Sequence, residues 1–166
     1  MSELRLRPIT LLGGMTATGL WPLVDMTVFH WLLIALLPSW RHTAKLSLVF
    51  PIMHAILYTL TALSLLLFSQ EGFEANPDAD FGSLKGIIAL FEDPTNLFAG
   101  WVHYLVFDAL VGRWIILDSQ KIGVSLLLHY AVIVPILFFT LMAGPMGWLM
   151  YIAVRPFLST KCEKRN

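Results

Sequence analysis

The sequence predicts an all-α integral membrane protein built as a bundle of four transmembrane helices. Of its 166 residues, 57% are hydrophobic and 13% are charged, and the mean hydropathy is +0.73, values typical of membrane proteins rather than soluble domains. Two segments contain no Asp, Glu, Lys or Arg: the one between Lys45 and Glu71, and the one between Lys121 and Arg155. Each is longer than the roughly 20 residues that a helix needs to cross a bilayer.

The first two spans are predicted at residues 20–37 and 46–68. Pro22 falls in the opening turn of the first span, where a proline is tolerated. The connection at 69–80 is polar and acidic and is predicted to be a loop. Residues 81–91 are apolar but too short to span, so we expect an amphipathic helix that lies at the membrane interface.

The third and fourth spans are predicted at residues 97–117 and 124–146. Asp93 can cap free N–H groups, and Pro94 suits the first position of a helix, so the two predict a helix start. The Gly-Pro pair at 144–145 should kink or interrupt the fourth span. Whether the chain continues the same helix beyond this pair is left open by the sequence.

Four spans place both termini on one side of a single membrane domain, residues 1–166, with short polar tails at 1–8 and 155–166. Lys and Arg are more frequent on that side, so the positive-inside rule predicts termini in the cytoplasm or stroma. The expected location is a bacterial inner membrane or a plastid or thylakoid membrane, with membrane lipid as a partner.

Composition also excludes several classes of function. Eleven Lys and Arg balance eleven Asp and Glu, so the chain has no basic field for nucleic acid. A single cysteine, Cys162, excludes an intrachain disulfide and a Cys-based metal site. The chain has no HxxxH cluster, GxSxG elbow, phosphate-binding glycine loop or CxxCH motif. We therefore predict no metal and no cofactor.

Ionisable residues inside the spans are the candidate functional residues. Such a residue at the centre of a lipid-embedded helix costs about 2.5 to 3.5 kcal/mol, so it normally faces protein or water. Each span has one histidine, and two spans have an aspartate: His30, His54, His103, His129, Asp25 and Asp108. The alternative for each is a hydrogen bond to a neighbouring helix without chemistry. A b-type haem held by His30 with His54 is a further alternative.

Three polar residues leave the third span in different directions. At about 100° per residue, His103 and Asp108 point some 140° apart, and so do Asp108 and Arg113. This helix is therefore predicted to be covered by protein on several sides. Gly100, Ala109 and Gly112 would let neighbouring helices come close to it.

Three segments resemble the ABA-deficient 4-like membrane family: GWVHYLVFDALVGRWIILD in the third span, PSWRHTAKL after the first, and LMAGPMGWLMYIAVR at the end of the fourth. The resemblance covers Pro38 to Arg155. Plant members are chloroplast membrane proteins required for making neoxanthin from violaxanthin. The resemblance singles out Trp101, His103, Asp108, Arg113 and the Gly144-Pro145 pair.

The resemblance implies carotenoid (xanthophyll) or related isoprenoid metabolism, with an epoxide-to-allene isomerisation as in neoxanthin formation. Such a reaction needs a general acid at the epoxide oxygen and a base for a carbon-bound proton. We predict Asp108 as the acid and His103 or His54 as the base. The predicted substrate-binding residues are Trp101, Tyr104, Arg113 and His30.

The expected ligand is a hydrophobic pigment or isoprenoid, and a membrane protein or a second copy of the chain is a further expected partner. Whether the protein is an enzyme stays open. One alternative is a non-enzymatic membrane subunit or assembly factor of a pigment-protein complex. The other is a small redox protein that binds haem or quinone.

Overall fold

The computed structural model describes residues 6–68 and 76–163, with side chains through Leu158. All regular structure in these residues is helical, apart from one isolated bridge between Ile9 and Met15. The α-helices are α1 (Ala17–Asp25), α2 (Thr27–Leu36), α3 (Thr43–Leu67), α4 (Leu84–Phe91), α5 (Pro94–Lys121), α6 (Leu126–Leu128), α7 (Val134–Ala143) and α8 (Pro145–Glu163). A 3-10 turn, Thr10–Leu12, precedes α1, and a π-helical turn, His129–Ile133, joins α6 to α7.

Four helical stretches are long and apolar enough to cross a membrane: Ala17–Leu36, Thr43–Leu67, Pro94–Lys121 and Leu126–Ala143. The predicted fold class is therefore confirmed, and the chain is a multi-pass membrane protein. Helix α4 confirms a short helix between the second and third spans. Part of the predicted loop, residues 69–75, lies outside the described residues, as do the chain ends 1–5 and 164–166.

The first span differs from its predicted form. It begins at Ala17, where the Thr16 hydroxyl accepts a hydrogen bond from the Gly19 N–H at 3.4 Å. Pro22 therefore lies in the interior of α1 rather than in its opening turn, and it has no N–H to donate to the preceding turn. The span divides at Met26 into α1 and α2.

The fourth span is interrupted at the Gly-Pro pair, as the sequence predicts, and its helix ends before the predicted bound at residue 146. Helix α7 stops at Ala143, Gly144 adopts φ 25°, and Pro145 is the first residue of α8. Helix α8 continues to Glu163, so the segment predicted as a polar tail from residue 155 is largely helical. The two helices pack closely, because a Cβ added at Gly147 would lie 2.6 Å from the Thr140 Cα.

Contacts divide the chain into two compact units. Unit 1 contains Met1–Asp25 and His54–Tyr104, and unit 2 contains Met26–Met53 and Leu105–Asn166. The buried apolar residues of unit 1 are Ile9, Ala17, Leu20, Val24, Leu57, Ala89, Phe98, Ala99 and Val102. The core of unit 2 is formed by Trp31, Ile34, Ile115, Ile116, Ile133, Ile136, Leu137, Tyr151 and Leu158.

In unit 1, the chain before α1 packs against the end of α3. Ile9 is 1% exposed, the Leu11 N–H donates to the Ser64 hydroxyl at 2.9 Å, and the Arg7 guanidinium donates to the Phe68 carbonyl at 3.1 Å. The Ser64 hydroxyl, which lies inside an apolar span, thus accepts a hydrogen bond from the backbone of a segment far away in the sequence. The predicted tail at 1–8 therefore ends in a packed and hydrogen-bonded segment.

Candidate functional site

An apolar groove of about 430 Å³ in unit 1 contains one of the predicted site residues, His103. We call it the His103 groove. Its wall is formed by helices α3, α4 and α5 and by the segment before α4. The lining residues are Tyr58, Ala62, Leu65, Leu66, Phe81, Leu90, Phe91, Asn96, Ala99, Gly100 and His103.

The start of α5 orients the groove-facing residues of that helix. The Asp93 carboxylate accepts hydrogen bonds from the N–H groups of Thr95 at 2.7 Å and of Asn96 at 3.1 Å, as the sequence predicts for a cap. Asn96, Gly100 and His103 then follow at helical spacing, so they lie on one face of α5. A local capping signal thereby places His103 in the groove.

Helix α4 is held over this face by two contacts. The Asn96 side chain donates to the Leu90 carbonyl at 2.9 Å. A Cβ added at Gly100 would lie 2.6 Å from the Phe91 ring, so the ring rests on the backbone of α5 and confirms the close approach predicted at Gly100.

Capping also fixes the start of α4. The Ser83 hydroxyl accepts from the Gly86 N–H at 2.9 Å and donates to Asp80 at 3.0 Å. Hydrogen bonds from the Ser83 side chain and the Gly82 backbone hold the pKa of the Asp80 carboxyl below its usual value. Asp80 therefore stays ionised and accepts these bonds.

His103 is exposed and forms an edge-on ring contact with Tyr58, with 5.1 Å between ring centroids. The two side chains come from α5 and α3. An imidazole can donate a proton through one nitrogen and accept one through the other, and a phenol can do both. This pair is the chemically versatile part of an otherwise mainly apolar groove.

Trp101 and Tyr104 also lie in unit 1, and their rings stack with 5.8 Å between centroids. Trp101 is 46% exposed and lines a second groove of about 400 Å³. The lining residues of this second groove are Leu6, Ala17, Thr18, Trp21, Pro94, Leu97, Phe98 and Trp101. Its exposed tryptophans fit the interfacial positions that aromatic residues prefer.

His54, which the sequence analysis proposed as an alternative base, lies in unit 1 and is 2% exposed. Its Nε2 lies 3.4 Å from the Val24 carbonyl oxygen in the last turn of α1, also in unit 1. Carbonyls in the last turn of a helix have no intrahelical partner, so an imidazole N–H satisfies one of them here. This contact favours the structural alternative for His54.

Two predicted residues are buried in unit 2. His30 is fully buried and makes edge-on ring contacts with Trp31 at 5.4 Å and Phe50 at 6.4 Å. Asp108 is 5% exposed, and its carboxylate lies against Gly144 at the break between α7 and α8. The sequence singled out both members of this second contact.

Arg113 donates to the Ala44 carbonyl at 3.0 Å and belongs to a set of side chains around the turn between α2 and α3. Each member donates to a different main-chain carbonyl: His129 to Ala35 at 2.9 Å, Tyr130 to Leu36 at 3.0 Å, Thr43 to Leu37 at 2.5 Å, and Gln120 to Pro38. An unsatisfied carbonyl in the membrane costs several kcal/mol. This gives the His129 ring a structural role at the end of α2, whereas Arg113 adds a bond to a carbonyl in the first turn of α3 that also accepts from the Ser47 hydroxyl.

A polar cluster that the sequence analysis missed links α5 to α8 in unit 2. Asp118 accepts both bonds of the Arg155 guanidinium, at 2.6 and 2.9 Å, and the Tyr151 hydroxyl at 2.6 Å. The carboxylate raises the pKa of Arg155, and burial followed by the hydrogen bond to Asp118 raises the pKa of Tyr151. The four-residue spacing of Tyr151 and Arg155 is the signal that could have found them.

The structure therefore distributes the predicted site over both units. Unit 1 holds Trp101, His103, Tyr104 and His54, and unit 2 holds His30, Asp108 and Arg113. Within the described parts of the chain, no three His, Cys, Asp or Glu side chains are grouped so that they could hold a metal ion. Chemistry within a single unit is best supported by the His103 groove.

The family model of the ABA DEFICIENT 4-like proteins matches residues 22–151 of the chain. No curated protein and no solved structure matches it. The matched range includes all the groove-lining residues named for the His103 groove and the Asp108–Gly144 contact.

Proposed function

Because the chain belongs to the ABA-deficient 4-like family, we propose that it acts in the metabolism of a carotenoid or a related isoprenoid within the membrane. The His103 groove binds this ligand. The observation that carries the proposal is a groove of about 430 Å³ whose wall is mainly aliphatic and aromatic and which also contains Tyr58 and His103. Ligand sites are typically apolar clefts of this size with a few polar groups that orient the ligand.

The ligand is more extended than the groove. A volume of about 430 Å³ suits a ring end group and the adjoining part of a polyene, and the remaining chain would lie among lipid tails. The last two residues of α3 add exposed apolar surface at the edge of the groove, with Leu66 of the groove wall at 79% and Leu67 at 68% exposure. A polyene binds well to such an apolar surface because it has no group that needs a hydrogen-bond partner.

The finer proposal is an isomerisation of an epoxide to an allenic alcohol. A base removes a carbon-bound proton, the electron pair forms the new double bond, the epoxide carbon–oxygen bond breaks, and the oxygen takes up a proton. No oxidant or reductant is needed, because the atoms of the product are those of the substrate. His103 is the side chain to which we assign proton transfer, since it lines the groove and an imidazole both accepts and donates a proton.

The first experiment is the absorption spectrum of protein purified in mild detergent from a carotenoid-producing host. We expect a three-peaked polyene band, with pigment recovered by extraction in about one-to-one proportion. Ala62→Phe should fill the His103 groove and abolish the band, because a large side chain replaces a small lining residue. Ala153→Phe is the matched control, since Ala153 is exposed on α8 and lines neither groove described above.

A colourless wild-type protein would contradict the proposal and favour a role as an assembly subunit. A Soret band in place of the polyene band would instead favour haem. A polyene band that survives Ala62→Phe unchanged would place the pigment outside the His103 groove. The pigments in the extract then report the reaction, because an isomerised end group is separable from its precursor by chromatography.

A further inference from the structure

In unit 2, helix α8 runs in the same direction as the second half of α5. Three contacts join the two helices and occur in the same order along both: Asp108 with Gly144, Trp114 with Tyr151, and Asp118 with Arg155. The first and third contacts are about 15 Å apart along each helix. The chain therefore reverses at Gly144, so that α7 and α8 form a hairpin and α8 returns to the C-terminal end of α5.

The turn between α2 and α3 lies at this same end of unit 2. The side chain of Gln120, in the last turn of α5, donates to the Pro38 carbonyl, and the Tyr130 hydroxyl donates to the Leu36 carbonyl at 3.0 Å. A count of four spans predicts that the chain after the fourth span lies on the membrane face opposite this turn. Because α8 returns along α5, the chain instead comes back to the end of unit 2 that contains the turn.

Exposed aromatic side chains indicate that this end of unit 2 lies at a membrane interface. Trp40, in the turn, is 44% exposed, and Tyr130 is 45% exposed. Trp and Tyr are enriched where lipid tails meet headgroups, because each combines an apolar ring with a polar N–H or O–H group. The turn is therefore at the level of the lipid headgroups.

Three basic side chains are exposed at this end and form what we call the basic patch: Arg41, Lys45 and Lys121. Arg41 belongs to the turn and donates its Nε–H to the His42 ring at 2.7 Å, which uses one of the five guanidinium donors. Lys45 is in the first turn of α3, where side chains lean toward the helix start. Lys121 is the last residue of α5. All three positive charges thus lie close to the headgroup level.

The described acidic side chains of unit 2 do not neutralise the basic patch. They are Asp108 and Asp118. Asp108 is buried to 5% exposure and is about 20 Å from Lys121 along α5. Asp118 interacts electrostatically with Lys121, but it already accepts two hydrogen bonds from Arg155. The basic patch therefore carries an excess of positive charge.

We infer that the basic patch binds the phosphate groups of anionic phospholipids in the leaflet that it faces. Headgroups are the anions that a basic surface meets at this depth, and Lys and Arg form charge-assisted hydrogen bonds with phosphate oxygens. A basic side chain beside an anionic leaflet favours association by about fivefold. The inference is independent of the proposed function, because the basic patch is in unit 2 and the His103 groove is in unit 1.

The test is a competition between phosphatidylglycerol and phosphatidylcholine with identical acyl chains. Delipidated protein in mild detergent is incubated with equal amounts of the two lipids and separated by gel filtration, and the retained lipids are quantified by mass spectrometry. Because the acyl chains are the same, the ratio of retained lipids reports the headgroup charge. Wild-type protein should retain phosphatidylglycerol over phosphatidylcholine by at least about fivefold. The ratio should approach one in about 1 M salt, which screens the charges.

The combined variant Arg41→Gln, Lys45→Gln and Lys121→Gln should bring the ratio close to one at low salt. A variant that keeps the charges, Arg41→Lys with Lys45→Arg and Lys121→Arg, should keep the wild-type ratio. Lys85→Gln is the matched single control, since Lys85 is an exposed cation of unit 1 that is paired with Asp78 at 3.1 Å. It should also leave the ratio unchanged.

Equal retention of the two lipids by wild-type protein would overturn the inference. So would a preference that survives the combined glutamine variant, because the anionic lipid would then bind elsewhere. Equal retention together with a larger complex that the glutamine variant disperses would identify an acidic protein, or a second copy of the chain, as the occupant instead. The pigment spectrum tests the proposed function separately and gives its result whichever lipid is retained.

Discussion

Gly144 lies so close to the carboxylate of Asp108 that a Cβ at position 144 would overlap a carboxylate oxygen. Gly144 also has φ 25°, a conformation that side chains of L-residues rarely allow. Glycine is therefore required here for two independent reasons. The contact joins the middle of α5 to the break between α7 and α8 within unit 2, and it buries the carboxylate to 5% exposure.

Replacing Gly144 with alanine should destabilise the protein more than the same change at Gly13. Both glycines have positive φ, but a Cβ at Gly13 meets nothing within 4 Å, whereas one at Gly144 meets Asp108. We expect about 1 kcal/mol for backbone strain at Gly13 and about 2 to 4 kcal/mol at Gly144, where overpacking is added. Thermal unfolding in one detergent measures both, and equal losses would show that the contact with Asp108 is not rigid.

The predicted acid role of Asp108 is tested by Asp108→Asn, which keeps the shape of the side chain and removes the transferable proton. Loss of a general acid typically costs 100-fold or more in rate. Because Asp108 lies in unit 2 and is not among the residues that line the His103 groove, we expect Asp108→Asn to keep pigment conversion within about tenfold of the wild type, and a loss of 100-fold or more would support the acid role. Asp25→Asn is the control, because Asp25 is an exposed aspartate of the first span. Full conversion by Asp108→Asn would show that the Asp108 carboxylate has no role in the reaction and contributes only its packing contact with Gly144.

Tyr151 makes stability depend on pH in the alkaline range. Its pKa is raised above the usual 10.0, first by burial and then by the hydrogen bond to Asp118, so the folded state favours the neutral phenol. The stabilisation is fully present below pH 10 and is lost as the pH rises toward the folded-state pKa. Tyr151→Phe should therefore show a shallower decline in unfolding temperature above pH 10 than the wild type. Parallel declines for the two proteins would argue against burial of this phenol.

His129→Phe should destabilise the protein by about 1 to 3 kcal/mol, because the Ala35 carbonyl at the end of α2 loses the donor that the buried His129 ring provides. Tyr130→Phe removes a neighbouring bond, to the Leu36 carbonyl, from a side chain that is 45% exposed. We expect a smaller loss for Tyr130→Phe, by at least about half, because Leu36 is 57% exposed and an unpaired carbonyl costs most when it is buried. Chemical unfolding in detergent compares the pair, and a negligible loss for His129→Phe would favour a functional role for that ring.

Local signals in the sequence were sufficient for the fold class and for several boundaries. The long charge-free segments predicted the second and fourth spans, Asp93 predicted the start of α5, and the Gly-Pro pair at 144–145 predicted the end of α7. These features depend on residues that are neighbours in the chain. Pro22 was misplaced because the helix start at Ala17 has only a weak capping signal from Thr16.

The sequence did not predict which groups the polar residues form hydrogen bonds with. Asp118 and Arg155 are 37 positions apart, and His129 and the Ala35 carbonyl are 94 apart. Whether two such residues meet depends on how each helix is rotated and shifted along its neighbour, which a hydropathy pattern does not encode. The sequence by itself therefore determined an all-helical membrane protein with four spans and its family resemblance. Only the tertiary structure decided that His103 pairs with Tyr58 in a groove while Arg113 and His129 serve main-chain carbonyls, because side-chain packing, and not local composition, sets those contacts.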